Sequence, residues 1–164
     1  MLKKLIPIFI FIAIVALIFV SLSKKEQMVS VYKGNLEQKP LDLNLHHLQD
    51  PQCKMIIDDI SHSAQVASKS GKTWVFDDVG CMILWLKDKK LDHAKMWVWA
   101  KDKNSWIDAT KAWYSINEAT PMRHGFGAYG MKKDGYINFN QMKNRVLRGE
   151  DLTNPIIRKK VLGI

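Results

Sequence analysis

Residues 64–100 read AQVASKSGKTWVFDDVGCMILWLKDKKLDHAKMWVWA, and this stretch decides the fold. Ala64 to Lys69, a Ser70-Gly71-Lys72 turn, and Thr73 to Asp77 carry the punctuation of a β-hairpin. Gly71 supplies the positive φ that a tight reversal needs. Asp77 or Asp78 is placed to cap a helix from Asp78 to Lys87, in which Met82, Ile83, Trp85 and Leu86 crowd one side. Met96-Trp97-Val98-Trp99 then reads as a strand with large apolar groups on both faces, expected to be central and buried. The unit is β-β-α-β.

The same order echoes downstream. Ser68 to Asp77 parallels Met131 to Asn140, with Phe126 to Met131 and Tyr136 to Phe139 as hairpin arms around Lys133-Asp134-Gly135, and a helix from Asn140 to Leu147. The expected fold class is therefore α+β, two β-β-α-β units packed together and joined through Trp106 to Asn117. The six tryptophans, Trp74, Trp85, Trp97, Trp99, Trp106 and Trp113, fall mostly on strand or helix patterns and are most simply core.

Upstream, residues 5 to 22 (LIPIFIFIAIVALIFVSL) contain no charge, and Lys3, Lys4, Lys24 and Lys25 flank them. That length reaches the lower limit for a bilayer-spanning helix. Val20-Ser21-Leu22-Ser23 fits a small-x-small cleavage site poorly, which favours an N-terminal transmembrane anchor at 1–23 over a cleaved signal. The expected continuation is a tether at 24–50 with one strand over Leu41, Leu43 and Leu45, a domain at 51–150, and a basic C-terminal tail at 151–164. Such a chain sits in the inner membrane with its bulk in the periplasm. Of its 164 residues, 25 are basic and 16 acidic, a net charge of +9. With an anchor in place, that charge points to anionic lipid or an acidic partner rather than nucleic acid. No glycine-rich phosphate loop and no hydrolase nucleophile elbow is present.

Two cysteines occur, Cys53 and Cys81. In an exported chain they read either as a structural disulfide or as functional thiols, and spacing alone leaves both open. Cys53-Lys54-Met55, if extended, points thiolate and thioether to one side, a pairing that selects a soft ion such as Cu(I). Met122 follows Pro121 in a loop, and His124 offers imidazole nearby. Cys81 lies in the first turn of the expected helix, where the positive end of the helix dipole favours a thiolate. Adjacent histidines at 46 and 47 are more simply solvated.

Four blocks in order give the chain a resemblance to the NosL accessory proteins of nitrous oxide reductase maturation. They are Cys53-Lys54-Met55-Ile56; Ala64-Gln65 leading to Phe76-Asp77-Asp78-Val79-Gly80-Cys81-Met82; Trp106-Ile107-Asp108-Ala109 with Ala112-Trp113-Tyr114; and Thr120-Pro121-Met122 with Gly125 to Tyr129. The resemblance covers roughly residues 50 to 145. It implies paired β-β-α-β units and a periplasmic chaperone, not an enzyme, that binds Cu(I) and delivers it to nitrous oxide reductase or its membrane assembly machinery during denitrification. It also implies Cys53 and Met55 as metal ligands, Met122 as a third sulfur, and His124 as a secondary candidate. The chain departs from the family pattern in two places: an apolar helix replaces the lipid-bearing N-terminal cysteine, and Arg123 and His124 stand where glycine usually follows Pro-Met. Organomercurial lyases are similar in fold to this family, so a thiol-dependent enzyme acting on carbon-metal bonds is one rival. A metal-free, membrane-tethered assembly factor is another.

Overall fold

The computed structural model describes residues 2–23 and 28–164, with side chains at 6, 9–20 and 28–164. It is a mixed α and β structure with two small antiparallel sheets.

The helix α1 runs Leu2–Ser23. Between Phe9 and Val20 its side chains are exposed apart from Val15. Among the described residues no helix is long and apolar enough to cross a membrane, so the spanning anchor expected at 1–23 is not supported by these side chains. Residues 24–27 lie outside the described set.

The first sheet holds β1 (Ala64–Ala67), β2 (Thr73–Phe76), β3 (Lys95–Ala100) and β4 (Ser105–Asp108), in the order β2-β1-β3-β4. Gly71 turns the β1-β2 hairpin at φ 78°, as the sequence requires. The helix α2 (Val79–Leu86) returns the chain to β3, completing the expected β-β-α-β unit, and β4 is added at the edge. The strand β3 is interior, but only Val98 and Ala100 are fully buried and Trp97 and Trp99 are half-buried. All six tryptophans are half-buried rather than core. Four of their rings meet in pairs, Trp74 and Trp85 tilted at 4.8 Å and Trp99 and Trp106 edge to face at 5.5 Å. That placement suits rings with an N–H to satisfy, and Trp97 Nε1 donates to Gln38 O at 3.0 Å.

The second unit departs from the echo. Its sheet is β5 (Trp113–Tyr114), β6 (Ala128–Tyr129) and β7 (Ile137–Asn138), ordered β6-β5-β7. The two expected hairpin arms do not pair with each other. Both pair with β5, which comes from the segment expected to be a connector. The helix α3 (Phe139–Arg148) follows, closed by an Asn138-Gln141 capping box and by Gly149 in the left-handed region. The chain then enters α4 (Pro155–Leu162) instead of a fourth strand, so the second β-β-α-β unit is incomplete and the expected basic tail is helical. Asp151 and Leu152, at its root, are buried.

The core lies between one face of the first sheet and helices α2 and α3. Val66, Phe76 and Val98 meet Met82 and Ile83 of α2 and Phe139, Met142 and Val146 of α3. The opposite face is covered by residues 28–57, and here the expected tether is corrected. Leu48, Ile57 and Val75 form a second apolar cluster, with Val29, Tyr32, Leu43 and Leu45 against it. Burying such side chains is worth about 1.5–3 kcal/mol each. The fully buried Gln65 of β1 is satisfied by the backbone of Leu41, in both directions, at 2.9 and 2.8 Å. Spending these backbone groups on a side chain leaves Leu41 to Leu45 without a strand. One result matters for the site: this covering layer carries residue 53 round to the N-terminus of α2.

Candidate metal centre

Two short Asp-x-x-Cys segments build the centre, Asp50-Pro51-Gln52-Cys53 and Asp78-Val79-Gly80-Cys81. In each, the aspartate turns the chain by accepting the backbone N–H two residues on. Asp50 Oδ1 accepts from Gln52 N at 2.6 Å and Cys53 N at 3.1 Å. Asp78 Oδ1 accepts from Gly80 N at 2.8 Å and caps α2. Asp50 Oδ2 then accepts from Asp77 N at 3.1 Å, locking the loop at 50–54 to the end of β2.

This closes four donor groups into one place. One ligand atom from each of Asp50, Cys53, Asp77 and Cys81 lies within 4.8 Å of all the others, and only Cys53 is less than fully buried. Both cysteines are free. The Cys53 thiol donates to Asp77 Oδ1 at 3.5 Å.

The electrostatics are one-sided. Among the described residues no ion pair includes Asp50, Asp77 or Asp78. Burial pushes the Cys53 thiol up to about 12, helped by the charges of Asp50 and Asp77. Cys81 is driven up further, by burial first and then by Asp50, Asp78, Cys53 and Asp77. The expectation that the α2 dipole lowers this thiol is therefore corrected: desolvation and neighbouring anions outweigh it. Asp77 is raised to about 7 by burial, then by Asp50 and Asp78. Its Oδ2 is buried with no hydrogen-bond partner. Two ionised carboxylates are both acceptors, so Asp50 and Asp77 relieve each other only by sharing a proton. A cation would do the same for the whole group.

The other expected ligands are placed differently. Cys53 and Met55 do not share one strand face: Asp50 to Cys53 is a turn, Lys54 N donates to Asp50 O at 3.0 Å, and Lys54 sits at φ 67° in the left-handed region. Met55 consequently points out and is 42% exposed. Met122 shares with Cys53 the margin of the main core. Its N–H donates to Asp78 Oδ2 at 3.2 Å, and Thr120 Oγ1 donates to the same oxygen at 2.6 Å, so the Thr-Pro-Met loop is tied to the first turn of α2. His124 is buried against Gly80, and its Nδ1 lies 2.8 Å from Asp151 Oδ2. Burial works against its protonation, but Asp151, Asp78 and Asp77 raise its pKa above the ordinary value. Paired with Asp151, it is not one of the converging donors.

Sequence reasoning missed Asp50 and Asp77, and gave Cys81 to packing, pairing or reactivity rather than to a metal. The repeated Asp-x-x-Cys spacing could have pointed to Asp50 and Cys81, but Asp77 lies outside it and carries no such signal. Comparison with models of known protein families and with curated proteins gives no match for this chain.

Proposed function

We propose that this chain is a Cu(I) carrier of the NosL kind, tethered to the inner membrane through α1 with its bulk in the periplasm. In this reading it delivers copper to nitrous oxide reductase or its membrane assembly machinery and is not an enzyme. The observation that carries it is the convergence of two free thiols, the half-buried Cys53 and the buried Cys81. Two thiolates satisfy a soft, low-coordinate ion, and the open side at Cys53 leaves an acceptor's ligand room to attack. Met122 stands as a third sulfur from the neighbouring loop. Met55, exposed beside Cys53, is the first thioether an incoming ion or partner meets. The tether rests on the sequence alone, the uncharged residues 5 to 22 with lysines on either side.

The test is anaerobic Cu(I) titration of the reduced full-length chain in detergent, in competition with a Cu(I) chelator. One tightly held ion is expected, lost in Cys53→Ser and Cys81→Ser and weakened about tenfold in Met122→Leu. Tight binding that survives both cysteine substitutions refutes this ligand set. No binding at all leaves the metal-free assembly factor.

One observation favours a second reading, cleavage of a carbon-metal bond. Asp77, raised to about 7, holds a proton next to both sulfurs. With the metal of an organometal on the two thiolates, that proton would pass to carbon as the bond breaks, releasing hydrocarbon and leaving the metal on sulfur. Release of hydrocarbon from an organomercurial by the reduced chain, abolished in Asp77→Asn, would establish it over simple transport.

A further inference from the structure

We propose that Cys53, Cys81 and Asp77 also form a site for a divalent cation of the zinc class, distinct in coordination from the two-sulfur Cu(I) mode. Two observations support this independently. The first is the convergence of two sulfurs and carboxylate oxygen within 4.8 Å. The second is Asp77 Oδ2, an acceptor without a partner on a side chain that is 3% exposed. Buried acceptors are nearly always satisfied, and in this group of acids and thiols a cation supplies what no protein donor does.

The donor set fits the ion. Zinc binds cysteine sulfur at about 2.3 Å and carboxylate oxygen at about 2.0–2.2 Å, tetrahedrally, and three protein donors leave a fourth position open. Those bond lengths place tetrahedral donors roughly 3.5–3.8 Å apart, so spacings of up to 4.8 Å contract by roughly 1.3 Å at most on loading. Cys53 is the half-buried member of the group, while Cys81 lies in α2 and Asp77 directly follows β2. Asp50 serves as scaffold. Its carboxylate already accepts three backbone N–H groups, from Gln52, Cys53 and Asp77. The oxygen donor separates the two metals. Cu(I) gains little from a hard carboxylate, whereas a borderline divalent ion uses it.

This site shares its sulfurs with the copper reading but not its third donor, and the test exploits that difference. The full-length chain, reduced and in detergent, is titrated with Co²⁺ and then with Zn²⁺. Intense visible bands of tetrahedral cobalt with sulfur-to-metal charge transfer are expected, bleached by zinc, with both thiols protected from alkylation. Asp77→Asn should bind zinc at least tenfold more weakly, a larger loss than it shows for Cu(I). Only the pale spectrum of six-coordinate cobalt, or unchanged zinc affinity in a folded Asp77→Asn, overturns the proposal. If Asp77→Asn fails to fold, Zn²⁺ protection of Cys53 and Cys81 in the parent chain decides, and unprotected thiols overturn it. Zinc binding without Cu(I) binding sustains this site and sinks the carrier.

Discussion

Replacing Asp50 tests whether the centre is built by the 50–54 loop. The side chain is fully buried, and it accepts from Gln52 N at 2.6 Å, Cys53 N at 3.1 Å and Asp77 N at 3.1 Å. Hydrogen bonds to a charged group are worth about 1.5–3 kcal/mol each. Removing the carboxylate also removes its burial cost and its repulsion of Asp77, and the turn amides of Gln52 and Cys53 recover water. The Asp77 amide, buried at the end of β2, does not. We therefore expect Asp50→Ala to cost about 2–4 kcal/mol, and Asp50→Asn about 1–2 kcal/mol because its amide oxygen keeps the two loop amides. Urea unfolding of the reduced, metal-free chain measures both, with an unchanged denaturant slope showing that the native state stays compact. Alkylation of Cys53 should accelerate in the alanine variant. A cost below about 1 kcal/mol for alanine, or equal costs for alanine and asparagine, would refute the clamp.

Asp77→Asn should flatten the pH dependence of stability. Its folded value of about 7 lies above the ordinary 3.8, so the native state holds the extra proton, and the contribution is complete below pH 4 and lost as pH rises through 7. The difference between parent and variant in urea should change by up to about 4 kcal/mol between pH 4 and 8, and a constant difference would count against it. His124→Gln should cost about 3–5 kcal/mol at pH 5–6, because it strands the buried Asp151. Histidine is raised and aspartate lowered, so the pair's contribution fades as pH rises past the histidine's folded value or falls past the aspartate's. Cu(I) affinity should stay within threefold, and a larger loss would return His124 to the ligand set. Gly80→Ala places a Cβ 2.2 Å from the His124 ring. Overpacking of that kind costs about 1–3 kcal/mol, and the penalty should shrink when His124 is also alanine. Loading with Cu(I) at pH 8 should release about two protons, one from each raised thiol, as weakly buffered titration would record. One proton would mean Cys53 with thioethers alone.

The first unit was legible because its signals are local. Gly71 fixes a hairpin, Asp78 caps a helix, and the run to Ala100 has strand periodicity. The second unit was not, since strands of two residues carry almost no periodic signal and β5 finds both partners far along the chain. The layer at 28–57 was hidden for another reason. Its polar residues looked solvated, but Gln38 is buried and donates to Ala67 O at 2.8 Å and His93 O at 2.9 Å, and a buried glutamine is recognisable only once its partners are known. At the candidate centre, Cys53 is among the converging groups, but its local geometry is not the extended one expected. Asp50-Pro51 is a strong opening for a turn, and that local chemistry outweighs the extended form that would have aligned Met55 with it.

The arrangement that emerges is a group of acids kept quiet by burial. In the metal-free chain, Cys53 and Cys81 hold their protons at neutral pH and Asp77 is poised near 7. Held in that form the thiols are poor nucleophiles. A cation reverses every term at once: it favours both thiolates, satisfies Asp77 Oδ2, and offsets the charges of Asp50 and Asp78. Affinity for a cation is thereby coupled to proton release. The rigid members, Cys81 in α2 and Asp77 at the end of β2, keep the site's shape, while Cys53 on its clamped turn is the ligand that can let go. In the proposed carrier Cys53 is the donor that would release first, and the Asp50 clamp is what holds its turn in place.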